Sequence, residues 1–253
     1  MEPYPENWMT DHVVVGHVLR DGKVTEMVPI GSGIDRVYLI SLYYWALDIN
    51  VPAVYKPLSG EVRKLGLPVN VHLRELAAYL VSCAAKWNIV PPTVLRSMGL
   101  SHGIGSVQLY VFSKLTRLDD MPPQQLERVA VFDELIRSMD RRDEELVMST
   151  INGKKHVWVV DNGFAFHREG EKEEGLQRYA EGQLSLRVLN GVRNVSAALK
   201  SPHGLLRASL RMLLPEYEID LIEARALRVL STRSLLEPLE TISPFASEGD
   251  DGV

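Results

Sequence analysis

The order of apolar patterns along the chain constrains its fold most. Between residues 12 and 58, four runs are rich in the β-branched and aromatic residues typical of strands: HVVVGHVL, KVTEMVPI, VYLISLYYWAL and VPAVYKPL. We expect the first two runs to form a hairpin with Asp21-Gly22 in its turn. Later segments have apolar residues at helical spacing. Strands followed mainly by helices predict an α+β fold with a β-rich N-lobe and a mostly helical C-lobe.

The later segments supply the remaining predicted elements. LRELAAYLVSCAAKW and PPQQLERVAVFDELIRSM have helical apolar spacing, and SVQLYVFSKL between them has the composition of a strand. ELVMSTINGKKHVWVVDNGFAF predicts a hairpin around Asn152-Gly153. Further along, GLLRASLRMLL and EIDLIEARALRVLS are amphipathic. We therefore expect an N-lobe over 1–112, a C-lobe over 113–240 and a disordered acidic tail over 241–253.

Charge, hydropathy and cysteine content disfavour several classes of protein. The 253 residues include 33 acidic and 28 basic side chains, a formal net charge of −5. This balance disfavours a dedicated nucleic-acid-binding protein, which usually carries a basic excess. No apolar run approaches the roughly 20 residues that span a bilayer, and the N-terminus lacks the basic start of a secretory signal. Because Cys83 is the only cysteine, no intrachain disulfide can form. We expect a cytoplasmic protein without stable membrane insertion.

Two features of the predicted sheet could bind phosphate. Lys56 lies near the end of the run VPAVYKPL, where its ammonium could bridge phosphate oxygens. Gly31-Ser32-Gly33 separates two predicted strands, and such a turn lets backbone amides approach a phosphate. It is not a Walker A loop, because no Gly-Lys-Ser/Thr follows it. Taken alone, each feature also fits an ordinary alternative, a solvated edge-strand lysine or a hairpin turn.

Three acidic positions could serve the same site. Glu75 lies early in a predicted helix, where it could pair with Lys56 or simply complement the helix dipole. Asp140 belongs to a cluster of acids that follows the next predicted helix. Asp161 ends an apolar strand, where a buried carboxylate needs a partner. A metal ion or a turn capped by the aspartate itself would provide one.

The order of these residues matches the plan of a kinase. The matching segments run from Gly31 to His167 and are IGSGIDRVYLISL, VPAVYKPLSGE, RELAAYLVS, IVPPTVLR, GIGSVQLYV, RVAVFDELIRSMDRRDEEL and HVWVVDNGFAFH. On these segments the chain resembles the phosphatidylinositol 3- and 4-kinase-like superfamily of atypical kinases. It looks most similar to compact bacterial members, which are themselves similar to type II phosphatidylinositol 4-kinases. The resemblance implies a two-lobed, protein-kinase-like fold.

The resemblance also implies a role for each candidate residue. Lys56 would bind the phosphates of ATP, with Glu75 as its helix partner. Asp140 would be the catalytic aspartate, and Asp161 would bind Mg²⁺ or Mn²⁺. Glu145 aligns with the second metal ligand, which is Asn or His elsewhere in the family, and a carboxylate is a competent ligand for either ion. The remaining nucleotide-binding positions are Gly31, Ser32 and Gly33 in the glycine-bearing turn and the segment that would hold the adenine, which is Gln108, Leu109, Tyr110 and Val111.

These roles predict an ATP-dependent phosphotransferase whose acceptor is a protein Ser/Thr hydroxyl or the chain itself. Asp143 and Glu144 replace small residues usual in the family's catalytic loop. A pseudokinase that binds nucleotide or a partner without transfer is therefore one alternative, and a lipid or small-molecule kinase is another. A lipid substrate finds little support, because the sequence has no basic amphipathic stretch with exposed aromatics and no cysteine cluster for palmitoylation.

Overall fold

The structure, a computed structural model, describes residues 12–30, 36–60, 70–113, 117–138, 141–166 and 176–235. Its helices are α1 (His12–Asp21), α2 (Val71–Ala84), α3 (Pro123–Ile136), α4 (Leu186–Lys200), α5 (Leu205–Arg211) and α6 (Glu216–Thr232). Its strands are β1 (Lys23–Ile30), β2 (Val37–Tyr44), β3 (Ile49–Pro57), β4 (Thr93–Arg96), β5 (Gly105–Leu109), β6 (Leu146–Ile151) and β7 (Lys154–Val159). The predictions for Gly31-Ser32-Gly33, Asp140 and the tail 241–253 concern residues outside these ranges.

Five strands form an antiparallel sheet in the order β1-β2-β3-β5-β4. β3 is the central strand and pairs with β2 on one side and with β5 on the other, where Lys56 lies opposite Ser106. β6 and β7 form a separate hairpin. The turn residues Asn152 and Gly153 have φ values of 50° and 73°, as the predicted Asn-Gly turn requires. The expected α+β fold, with a sheet early and helices late, is confirmed.

Two apolar cores meet at the β6–β7 hairpin. One joins the five-stranded sheet to α1, with Val15 and Val107 among its members. The other is larger and joins α2 to the helices α3 to α6. Because side chains alternate along a strand, β7 contributes to both: Trp158 lies in the sheet core, whereas Val157 and Val159 lie in the helical core. None of the described helices has the length and apolar character needed to cross a bilayer.

The run HVVVGHVL forms α1, so the predicted N-terminal hairpin is wrong. Val15, Val18 and Leu19 are fully buried, and their spacing places them on one face of a helix. Packing of this face against the sheet outweighs the modest strand preference of valine. Gly22 follows the helix end: its N–H donates to Val18 O at 2.9 Å, and a Cβ on Gly22 would lie 2.6 Å from the same oxygen.

Three strands differ from the sequence pattern. β5 ends at Leu109, although the run SVQLYVFSKL, predicted as one strand, continues beyond it. The run VYLISLYYWAL is a strand only as far as Tyr44, and Trp45 is 78% exposed in the turn that follows. β4 is not predicted by the sequence, because it has only four residues and follows two prolines. It nevertheless completes the sheet beside β5, and Arg96 at its end donates to Leu19 O of α1 at 3.2 Å.

Two helical glycines provide a matched test of packing. A Cβ on Gly191 in α4 would overlap the indole of Trp87, which is buried, whereas a Cβ on Gly16 in α1 would meet nothing within 4 Å. We expect Gly191→Ala to lower the free energy of unfolding by about 1–3 kcal/mol through overpacking. We expect Gly16→Ala to raise it by about 0.5–1 kcal/mol. Urea denaturation measures both changes, and equal effects would contradict the packing around Trp87.

A half-buried histidine in β7, His156, makes stability depend on pH. Burial lowers the pKa of His156 to about 4, although its Nε2 lies 2.9 Å from Asn88 O. The unfolded chain binds a proton there near the ordinary value of about 6.5, so folded stability is lost as pH falls from that value towards 4. Between about pH 7 and about pH 4.5, we expect the wild type to lose about 1–2 kcal/mol more stability than His156→Gln.

Urea denaturation at the two pH values tests this expectation. His203→Gln, at an exposed position after α4, is the matched control and should lose as much stability as the wild type. Equal losses in the wild type and His156→Gln would show that this histidine does not resist protonation in the folded chain.

Candidate functional site

Three of the predicted site residues meet in the structure. Lys56 of β3 donates from Nζ to Oε1 of Glu75 in α2, and also to Oδ1 of Asp161, just after β7, at 2.5 Å. The side chains of Lys56, Glu75 and Asp161 are 18%, 2% and 45% exposed. The group therefore extends from the interior, at Glu75, to the surface, at Asp161.

The charges of this group stabilise one another. Burial by itself would lower the pKa of Lys56, but the carboxylates of Glu75 and Asp161 outweigh burial and raise this pKa above its ordinary value. The charge of Lys56 in turn lowers the pKa of Asp161, against the effect of burial. At neutral pH the group therefore presents one protonated amine and one ionised carboxylate near the surface, which can bind an anion and a cation respectively.

The loop that follows β7 lies closely against α2. Asn162 N donates to the second oxygen of Glu75, Oε2, at 3.2 Å, so both oxygens of this buried carboxylate accept hydrogen bonds. Gly163 lies so near Val71 that a Cβ on the glycine would overlap the Cγ1 methyl. Asp161 has a φ of 58°, in the left-handed region that aspartate adopts more readily than most residues. Backbone conformations of this kind cluster at functional sites.

Arg141, to which the sequence assigned no role, connects the residues around this loop. Its side chain is 6% exposed, and its guanidinium donates to Val160 O and to Asn162 Oδ1, both at 2.7 Å. It also donates to the carboxylates of Asp133, at 3.1 Å, and Glu145, at 3.2 Å. Its position directly after Asp140 is a signal that could have found it, because the five donors of an arginine suit a buried centre of hydrogen bonding.

Glu145, the predicted second metal ligand, is held by two arginines. Its Oε2 accepts from Arg141 Nη1 and from Arg142 N, at 3.2 and 3.1 Å, and its Oε1 accepts from Arg142 Nε at 3.0 Å. Burial, with a smaller contribution from the charge of Asp161, raises the pKa of Glu145 to about 7 although both arginines act in the opposite direction. Both oxygens are therefore engaged within the protein.

The two predicted metal ligands consequently differ in how well they fit a cation. In the ranges that the structure describes, no three His, Cys, Asp or Glu side chains lie close enough together to form a metal site. Asp161 fits Mg²⁺ or Mn²⁺ because its carboxylate is ionised and half-exposed. Glu145 would first have to release a bond to Arg141 or Arg142.

The predicted adenine-binding positions are Gln108, Leu109, Tyr110 and Val111. They begin at the end of β5, next to the strand that carries Lys56. Leu109 N donates to Pro92 O, just before β4, at 2.9 Å, and Tyr110 N donates to Pro52 O of β3 at 3.1 Å, so backbone bonds hold the segment from both sides. The roles of these residues stay predictions, as do those of Asp140 and of Gly31-Ser32-Gly33, which lie outside the described ranges.

Comparison by sequence gives one relative of similar length. No protein-family model matches the chain. Protein Rv2133c of Mycobacterium tuberculosis is 28% identical over an alignment of 253 positions, gaps included, which covers 84% of this chain and 87% of that protein. The name of that protein does not state an activity.

Comparison by structure places the chain in the protein-kinase-like fold. The Golgi casein kinase has a TM-score of 0.63 at 13% identity, covering 90% of this chain and 75% of its own. Its complex with Mn and ADP gives 0.62 at 13% identity, over 88% and 75%. Hydra Fam20 with sugar gives 0.57 at 14% identity, over 85% and 87%. At these identities the likeness shows the fold, so the kinase-like, two-lobed architecture expected from the sequence is confirmed.

The fit between Gly163 and Val71 can be tested by a pair of substitutions. Gly163→Ala would place a Cβ against the Val71 Cγ1 methyl and push the loop from α2, which we expect to lower stability by about 1–3 kcal/mol. In a Val71→Ala background that methyl is gone, and the nearest remaining valine atom, Cβ, would lie 3.4 Å away, an ordinary contact. The wild type, the two single variants and the double variant are compared by thermal and urea denaturation. These measurements give the loss of stability caused by Gly163→Ala with Val71 present and with Ala at position 71. The same loss in both backgrounds would rule out this contact as the reason for glycine.

Proposed function

We propose that this chain is an ATP-dependent phosphotransferase that uses Mg²⁺ or Mn²⁺. The observation that carries the proposal is the bonding of Lys56 to both Glu75 and Asp161, since the sequence pattern assigns these three residues to phosphate and metal binding. The shared fold adds support, because the Golgi casein kinase of that fold was crystallised with Mn and ADP. Lys56 would bind phosphate oxygens, and Glu75 would hold the ammonium in place.

Binding of metal and nucleotide would break the ion pair between Lys56 and Asp161. Lys56 would turn to the phosphates, and Asp161 would hold the metal. A bound Mg²⁺ or Mn²⁺ supplies neutralisation of phosphate charge and polarises the transferred group. Glu75 would keep its contact with Lys56 throughout, because its other oxygen is fixed by Asn162 N at 3.2 Å. Each charge therefore has a partner before and after binding, which avoids the cost of an unpaired buried ion.

The proposed acceptor is a protein Ser/Thr hydroxyl or a hydroxyl of this chain. The bond from the γ-phosphorus to the ADP oxygen would break as the acceptor oxygen bonds to phosphorus, and Asp140 would accept the hydroxyl proton. A protein acceptor fits the name of the Golgi casein kinase, since casein is a protein. A lipid or small-molecule acceptor, together with the finer resemblance to phosphatidylinositol kinases, is the alternative. A cytoplasmic location stays a prediction from the sequence.

A nucleotide-binding protein without transfer activity is the second candidate, and the contacts of Glu145 favour it. Both oxygens of this carboxylate accept hydrogen bonds from Arg141 and Arg142. If these bonds persist when nucleotide binds, the site lacks the second carboxylate ligand that the sequence predicts. Metal-dependent nucleotide binding without release of phosphate and without labelling of the protein would identify this candidate.

Substitution of Asp161 tests the proposed function. We expect Asp161→Asn to lower metal-dependent phosphoryl transfer roughly a hundredfold or more, because metal stabilisation of the transferred charge is worth several kcal/mol. The measurement is incubation with γ-labelled ATP and Mg²⁺ or Mn²⁺, followed by label on the protein and label released as phosphate. Asp48→Asn is the matched control, since Asp48 also has a positive φ, 51°, but lies in the exposed β2–β3 turn. Wild-type activity in Asp161→Asn would refute the site assignment.

A further inference from the structure

Arg74, the residue before Glu75, bonds to two distant parts of the chain. Its side chain is only 8% exposed. Nη1 donates to Ala165 O, in the loop after β7, at 2.7 Å, and Nη2 donates to Glu218 Oε1 of α6 at 2.8 Å. One buried guanidinium therefore connects α2, which carries Glu75, with the loop that begins at Asp161 and with a helix late in the chain.

We propose that the Arg74–Glu218 ion pair positions Glu75 and Asp161 for phosphoryl transfer, an inference that rests on the proposed function. Neither residue belongs to the group that would contact ATP or metal. Their role would be to fix the separation between α2 and the loop after β7. That separation decides whether Glu75 can reach Lys56 with one oxygen and the backbone of the loop with the other.

The loop is held at its start and at its end by different contacts. At its start, Asn162 N bonds to Glu75 Oε2. At its end, Phe166 N donates to Ile136 O of α3 at 2.5 Å, and the Phe166 side chain is 1% exposed. Phe166 has a φ of 66°, an uncommon conformation for a bulky residue, which persists only where the surroundings determine it. Arg74 bonds to Ala165, directly before this strained residue, and so helps to hold the loop in place.

Glu218 is well placed to fix Arg74 in turn. It is 4% exposed, and its neighbours on α6, Ile219 and Ile222, are fully buried in the helical core. Because α6 is packed along this face, the carboxylate cannot move far without disturbing that core. Loss of the Glu218 charge would remove one anionic partner from the buried guanidinium of Arg74, and weakening the pairing of a buried charge is costly. The guanidinium would then shift or draw in water, and α2 would lose its fixed distance from the loop.

Two carboxylates of α6 allow a matched comparison. Glu218→Gln removes the charge that faces Arg74 of α2. Glu223→Gln removes a charge that bonds, at 2.7 Å, to Arg207, a buried arginine of α5 rather than of α2. Both proteins keep nearly the same volume at the substituted position. The measurements are kcat and KM for γ-labelled ATP with Mg²⁺ or Mn²⁺, and amide hydrogen exchange of peptides that cover 160–166, α2 and the other helices.

We expect Glu218→Gln to lower kcat roughly tenfold or more with a smaller change in KM, because slight misplacement of reacting groups costs rate more than binding. We also expect faster amide exchange in the peptide 160–166, with exchange in α4 and α5 unchanged. Glu223→Gln should show neither effect. Unchanged kcat and unchanged exchange in Glu218→Gln would overturn the proposal. So would faster exchange spread evenly over the helical core, because that pattern indicates a purely structural role.

The exchange measurement also separates this inference from the proposed function. If the wild-type protein neither binds nor uses ATP, the proposed function fails. In that case, faster exchange confined to 160–166 in Glu218→Gln would still show that the ion pair positions the loop, and its absence would overturn the inference.

Discussion

The site depends on the buried carboxylate of Glu75. One of its oxygens accepts from Lys56 and the other from the backbone of Asn162, while the side chain is only 2% exposed. A buried carboxylate is unfavourable unless it is paired and fully hydrogen-bonded. These bonds exist only when β3, α2 and the loop after β7 lie together. The Glu75 carboxylate can therefore be buried only when these three elements are assembled. Gly163 allows the loop to approach α2 closely, because it has no Cβ to overlap Val71.

The acidic run after the predicted catalytic aspartate is balanced by the same kind of pairing. From the sequence, Asp143, Glu144 and Glu145 add negative charge beside a bound nucleotide. In the structure, Arg141 and Arg142 both bond to Glu145, and Arg142 Nη1 also lies 3.5 Å from Glu144 Oε1. Part of the negative charge is thus compensated within the loop. Glu144 and Glu145 would therefore repel a bound nucleotide less than the sequence suggests, because Arg141 and Arg142 supply their counter-charges.

The sequence could predict the site residues whose role depends only on their position within a single strand or helix. Three residues are of this kind: Lys56 near a strand end, Glu75 in the first turns of a helix and Asp161 after an apolar strand. Their positions suggest the same roles however the strands and helices pack. Arg74 has no such local sign, since its partners lie 91 and 144 residues away along the chain. The same limit explains α1: valine favours strands locally, but only the packed sheet shows that Val15, Val18 and Leu19 need a helical spacing.

The division of β7 between two cores has a consequence for how the protein unfolds. The hairpin contributes to both cores, through Trp158 on one face and through Val157 and Val159 on the other. Lobes with separate cores can melt one at a time. Here the loss of either core uncovers one face of the hairpin and so weakens the other core. The sheet that carries Lys56 and the helices behind α2 are thereby joined into one cooperative unit, and damage to the helical half is transmitted to the sheet.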